Sequence, residues 1–280
     1  MNPTPRPDWT IPQGWASYSA AEHAVWRTLF ERQTALLPGL ACDAFVAGMH
    51  ALPIAADRIP DFEALNEVLA PRTGWRVVAV PGLVPDEVFF THLANRRFPA
   101  GNFIRRADQL DYLQEPDVFH DVFGHVPMLM NPALADYLQA YGEGGLRAQR
   151  LGVLPLLARV YWYTVEFGLL QQPDGLRLFG AGIASSATES RFCLQDPSPN
   201  RIRFDLARVM RTRYRIDDVQ QTYFVLHDLA ELLELARIDF APVYERVRPL
   251  PEIEAGALLP TDAVITRGTG AYHAARPPRA

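Results

Sequence analysis

Cysteine is scarce in this chain: Cys42 and Cys193 are the only two among 280 residues, and no CxxC pair occurs. The count rules out a disulfide framework and a cysteine-built zinc site, and leaves two reduced thiols in a reducing compartment. Long apolar runs are missing too. No stretch of 18 or more uncharged apolar residues is present, so no membrane-spanning helix is expected. A basic block is also lacking: 27 basic residues against 32 acidic ones leave a net charge of −5. The densest basic stretch, Arg201 to Arg215, alternates with apolar residues. Sequence-independent phosphate binding needs a basic footprint, so nucleic acid is not an expected partner. The amino end has no basic start followed by an apolar core, so it does not read as a secretory signal, and a cytoplasmic location is expected.

What is present is enough apolar material, 49% of residues, to bury one large core. Residues 1–18 carry four prolines and read as an extended arm. Ser19 with Glu22 forms a capping-box pattern, and Val25, Trp26, Leu29, Phe30, Leu36 and Leu37 follow at helical spacing up to Pro38-Gly39. Further helices are predicted over 42–51, 62–70 after an Asp61 cap, 86–94, 132–149 with a kink at Gly144-Gly145, 187–194, 204–210 and 227–241. Pro155 to Leu170 is apolar on almost every face and is expected as one central, buried helix. Strands are predicted at 74–80, closed by Pro81-Gly82, and at 176–178 and 222–226, with 98–104 extended. The fold class is therefore mainly α with a few short β-strands. Its organisation is an arm over 1–18, one main domain over 19–247, and a poorly ordered tail over 248–280 rich in Pro, Gly, Ala and Arg.

The most informative stretch is Tyr112 to Pro127, YLQEPDVFHDVFGHVP. Proline and acids at Glu115-Pro116-Asp117 suit a helix start. His120 and His125 then lie five residues apart, roughly 140° around an ideal α-helix, so they do not share a face unless the helix is distorted. By themselves two such histidines fit surface or core positions as well as a metal. Glu166 shifts the balance. It sits in the apolar run Val160 to Gly168, with no basic residue nearer than Arg159. A carboxylate buried there needs a cation, either an arginine such as Arg159 or a metal held by the two imidazoles. Two histidines and one carboxylate make the facial triad of non-haem iron(II) oxygenases, with positions left open. A zinc hydrolase with Asp121 as base is an alternative, but HExxH is absent. A non-catalytic domain with structural histidines is a third reading.

These residues also carry a resemblance. The blocks Val80-Pro81-Gly82-Leu83, Tyr112 to Pro127, Tyr161 to Gly168 and Gly180 to Ser186 resemble the pterin-dependent aromatic amino acid hydroxylases, most closely the short bacterial phenylalanine 4-hydroxylases. The likeness covers roughly residues 15–245. It implies a mostly helical catalytic domain with an iron(II) site in a deep cleft, ligated by His120, His125 and Glu166. The implied reaction converts L-phenylalanine to L-tyrosine, with a tetrahydropterin (tetrahydrobiopterin or a bacterial analogue) as cofactor and dioxygen as co-substrate. L-Tryptophan or L-tyrosine as substrate remains open at this point. By the same resemblance Arg105 takes the substrate carboxylate and Asp117 steadies that arginine. Phe119 and Trp162 wall the substrate ring, Gly182 leaves room beside it, and Ser185 supports the first histidine. Gly82, Leu83, Val84, Phe89 and Asp121 face the pterin, with Phe89 stacking on it. The threonine that animal members carry near the substrate carboxylate is Leu113 here. A pterin carbinolamine dehydratase is the implied functional partner, and with no heptad pattern after Val247 a monomer is expected.

Overall fold

The structure is a computed structural model and describes residues 4–111 and 115–276. Leu113 and the rest of 112–114 lie outside the described residues. Helices dominate, as the periodicity predicts. The first, α1 (Ala20–Leu36), opens on the expected box: Ser19 Oγ accepts from Glu22 N–H, and the Glu22 carboxylate accepts from Ser19 N–H at 2.7 Å. Its buried face carries Val25, Trp26, Leu29 and Gln33. Next come α2 (Asp43–Ala51) and α3 (Phe62–Thr73), the latter capped by Asp61 and stopped by left-handed Gly74. A two-stranded parallel pair follows, β1 (Arg76–Val80) and β2 (Arg97–Gly101), joined by α4 (Asp86–Ala94). The arm runs along this pair, where Ile11 N–H donates to the Ala79 carbonyl.

After the histidine segment the chain forms α5 (Val126–Leu129) and then α6 (Pro132–Arg150), one continuous helix. Its glycines serve close packing and no break occurs at Gly144-Gly145: a Cβ on Gly145 would sit 2.1 Å from the Phe90 ring of α4. The apolar run after Pro155 departs further from expectation. It divides into α7 (Leu154–Tyr161), one wide helical turn at Trp162–Glu166, and the strand β3 (Leu169–Gln172). A run apolar on all faces is compatible with either secondary structure, so periodicity alone does not find the boundary.

β3 belongs to a five-stranded sheet in the order β4-β3-β6-β5-β7. The other members are β4 (Gly175–Leu178), β5 (Asn200–Arg203), β6 (Thr222–Leu226) and β7 (Val264–Thr266). Between them lie α8 (Ala181–Ala184), α9 (Ala187–Gln195) and α10 (Leu206–Arg211); α11 (Ala230–Arg237) and α12 (Ala241–Val247) follow β6. The segment after Val247 is not the loose tail its composition suggests. Its strand β7 pairs antiparallel with β5, and Asp262 meets Arg208 at 2.9 Å with both side chains almost wholly buried. Anchoring of this kind depends on two distant residues, which local composition does not encode.

Candidate metal centre

Residues Phe119–His125 form a turn with i→i+5 hydrogen bonding, wider than an α-helix. This removes the geometric objection raised by the spacing. In the wider turn residues five apart stand one above the other, and the His120 and His125 Nε2 atoms approach to 3.2 Å. Glu166 ends the second wide turn and faces both, its carboxylate oxygens 3.6 Å from His120 Nε2 and 3.2 Å from His125 Nε2. Helices broadened to this form occur often at functional sites. Arg159 is not the partner of Glu166: it pairs with Glu252 and donates to the Met210 carbonyl.

The protonation pattern favours a cation at the centre. Burial pushes His120 down to about 4, against the opposing pull of Glu166, so the ring is neutral at physiological pH. Its tautomer follows from one hydroxyl. Ser185 Oγ gives its only proton to the Ala181 carbonyl at 2.8 Å, so toward His120 Nδ1, 2.9 Å away, it accepts. The imidazole proton is thus on Nδ1, and the Nε2 lone pair points at Glu166 and His125. For Glu166, burial raises the carboxyl, but His125 and His120 outweigh it and hold the group below its ordinary value. Three mutually adjacent donors of this kind fit a divalent metal, whose neighbouring ligands at ~2.1 Å lie about 3 Å apart.

Asp121 is a competing carboxylate, since it also offers an oxygen within 4.8 Å of ligand atoms of His120 and His125. Two observations favour Glu166. Asp121 Oδ2 is engaged by the Gly101 N–H at 2.7 Å, and the Glu166 oxygens face the two imidazole nitrogens at 3.2 and 3.6 Å.

Beside the centre, Arg105 lays its guanidinium edge on Asp117, with Nε to Oδ2 at 2.8 Å and Nη2 to Oδ1 at 2.9 Å. Asp117 is fully buried, and its Oδ1 also accepts the His120 backbone N–H at 3.0 Å. One carboxylate therefore ties the arginine to the metal turn. Burial opposes the ionised form of Asp117, but the contacts with Arg105 prevail and hold its carboxyl below the ordinary value.

The remaining expected residues divide. Trp162 is half-buried, stacked on Tyr214 at 4.3 Å and packed on Phe167 at 4.6 Å. Phe119 does not wall an open cleft. It is wholly buried between Trp26 and Phe123 and lies under the Arg105 guanidinium, 5.8 Å from ring centroid to Cζ. Gly182 sits against Glu166, where a Cβ would come within 3.2 Å of both the backbone oxygen and Oε2. Leu83 is exposed and its N–H meets Glu115 Oε1 at 3.2 Å; Gly82 and Val84 flank it. Phe89 stands edge-to-face with Tyr161, which in turn lies against His125. Tyr214, Phe167 and Gln220 were not singled out by the sequence. Tyr214 and Gln220 lie some fifty residues beyond the triad, in a polar stretch with no periodicity to mark them.

Residues 10–247 match the family described as biopterin-dependent aromatic amino acid hydroxylase. Phenylalanine-4-hydroxylase of Caulobacter vibrioides is 64% identical over 270 residues, which cover 96% of this chain and 92% of that one. Among solved structures, the cobalt-bound phenylalanine hydroxylase of Chromobacterium violaceum superposes with a TM-score of 0.92 at 56% identity, covering 94% of this chain and 95% of that one. An iron- and phenylalanine-bound structure of the same enzyme gives 0.90 at 54% identity, covering 94% and 96%.

Proposed function

The chain belongs to the family of biopterin-dependent aromatic amino acid hydroxylases, and from that premise we propose that His120, His125 and Glu166 hold its iron(II) and Arg105 its amino acid. The protein is an enzyme that hydroxylates L-phenylalanine to L-tyrosine with dioxygen and a tetrahydropterin. The observation that carries the assignment of ligands is the meeting of two imidazoles and one carboxylate within 3.2 to 3.6 Å. When bound, the iron and the tetrahydropterin supply the electrons that activate dioxygen.

The chain's own residues do the rest. Neutral His120 offers Nε2 without first losing a proton, and ionised Glu166 offsets part of a divalent charge. Arg105 spends one edge on Asp117 and one Nη1 proton on the Leu110 carbonyl at 3.3 Å, leaving one N–H on each of Nη1 and Nη2 for the carboxylate of the amino acid. Because Asp117 also holds the His120 N–H, the anchored amino acid and the metal turn share one frame. Orientation of this kind lowers the barrier through lost freedom that binding has already offset. Trp162 and Phe167 flank the ring of the substrate. Gly82, Leu83, Val84 and Phe89 face the pterin, and Asp121 presents its buried carboxyl to the pterin's polar edge.

The same reading makes the enzyme a cytoplasmic monomer whose hydroxylated pterin goes to a pterin carbinolamine dehydratase. Support comes from the two free, buried thiols and from a C-terminal segment that folds back onto β5. Among the described residues no helix is long and apolar enough to cross a membrane. The test is product analysis with purified protein given phenylalanine, tryptophan or tyrosine, omitting in turn iron(II), tetrahydropterin and air. Tyrosine from phenylalanine that needs all three additions supports the reading; tyrosine formed without pterin or oxygen contradicts it.

A further inference from the structure

Gln220 lies far from the triad in sequence and is almost wholly buried, yet both ends of its side-chain amide and its backbone N–H are used. Its side-chain carbonyl accepts from Trp162 Nε1–H at 2.9 Å. Its amide donates to the Arg215 carbonyl at 2.9 Å and to the Asp218 carbonyl at 3.4 Å, closing the loop 213–219 on itself. Its backbone N–H donates to Glu189 Oε1 at 3.0 Å, and the same oxygen accepts from the Tyr223 hydroxyl. The loop so closed carries Tyr214, whose ring stacks on Trp162 with 20° between planes. Tyr163 fixes the other end of the loop, its hydroxyl donating to the Arg213 carbonyl at 2.7 Å. A buried amide with every group satisfied has one orientation, so the indole it holds has one tilt.

The buttress of this unit is shared with the metal. Glu189 follows Ser185 by four residues, and Ser185 sets the tautomer of His120. One segment therefore steadies the imidazole through Ser185 and the indole through Glu189 and Gln220.

We propose that Gln220 is a positioning residue that fixes Trp162 and the 213–219 loop, and so sets which aromatic ring the site accepts. The proposal rests on the reading that the ring of the substrate lies against Trp162. Removing the amide frees the indole to rotate about its side-chain bonds, and the pocket then admits a larger ring while holding the smaller one less well. Pocket changes of methylene size alter discrimination by about 10- to 200-fold.

The experiment compares wild type, Gln220→Leu, Trp162→Phe and the double variant, each loaded with iron(II) and tetrahydropterin. Steady-state rates are measured on phenylalanine and tryptophan, with hydroxylated product counted per pterin consumed. The indole N–H resonances of ¹⁵N-labelled protein report the Trp162 bond independently of activity. For Gln220→Leu the expected result is a moved Trp162 resonance, a phenylalanine-to-tryptophan ratio of kcat/KM narrowed roughly tenfold, and less product per pterin. Trp162→Phe should narrow the ratio as well, and adding Gln220→Leu to it should narrow the ratio by less than Gln220→Leu does alone. A moved resonance with an unchanged ratio and unchanged product per pterin would overturn the proposal, as would equal loss on both amino acids. If Gln220→Leu does not fold, Trp162→Phe decides alone: an unchanged ratio there overturns the proposal. Wild-type protein that discriminates neither amino acid would overturn the underlying reading of the ring site, and this one with it.

Discussion

Replacing Asp117 by alanine removes four hydrogen bonds at once: those from Arg105 N, Nε and Nη2 and from His120 N. It leaves a guanidinium buried to 8% exposure with no carboxylate. Truncating one member of a buried ion pair costs about 3–5 kcal/mol, chiefly because the surviving charge stays desolvated. For a chain of 280 residues the unfolding entropy makes 1 kcal/mol worth about 2 °C, so Asp117→Ala should melt roughly 6–10 °C below wild type. Arg105→Ala should also destabilise, since it strands the carboxylate. The double variant strands neither charge and should lose clearly less than the two single losses combined. Calorimetry on the four proteins, stripped of metal and without substrate, reads this coupling directly. Additive losses, or a single-variant shift under 2 °C, would refute the view that this pair is a desolvated, mutually dependent unit.

Three further outcomes follow from the geometry. Gly182→Ala should weaken metal binding by roughly 10- to 100-fold, because the added Cβ lies within 3.2 Å of the Glu166 backbone and carboxylate oxygens; a metal titration with unchanged affinity would contradict this. Glu189 has a carboxyl pushed by burial up to about 7, against an ordinary 4.5. The folded chain holds that proton where the unfolded chain releases it, so stability falls by up to about 3 kcal/mol as pH rises from 4.5 through 7. Urea midpoints should show Glu189→Gln losing less stability than wild type between pH 5 and pH 8; equal losses would count against it. Asp262→Ala should cost about 3–5 kcal/mol and expose the 248–276 segment to limited proteolysis, whereas resistance equal to wild type would mean that the Arg208 contact does not anchor it.

Much of this was legible in the sequence, for identifiable reasons. The capped helix after Ser19 announces itself because cap chemistry and apolar period agree within a few residues. Glu166 is legible as anomalous because a charge in an apolar run demands a partner. The convergence of His120 and His125 is not legible from periodicity, since the widened turn that produces it departs from the α-helical rule. The division of the run after Pro155 is hidden for a related reason: a segment buried on every side shows no face. The ordered C-terminal segment depends on Arg208 meeting Asp262 across 54 residues, and the Trp162–Gln220 bond spans 58. Contacts at that separation leave no local pattern. Phe119 illustrates the limit of carrying roles by motif: its neighbour His120 faces the metal, and the ring itself turns into the core.

Activity depends on which side chains hold the metal. The direct measurement is iron(II) bound per chain after anaerobic dialysis, in wild type and in His120→Ala, His125→Ala, Glu166→Ala and Asp121→Asn. The geometry predicts one iron in wild type and in Asp121→Asn, and near-complete loss in the other three. Iron retained by Glu166→Ala and lost from Asp121→Asn would contradict it and move the third ligand to the neighbouring carboxylate.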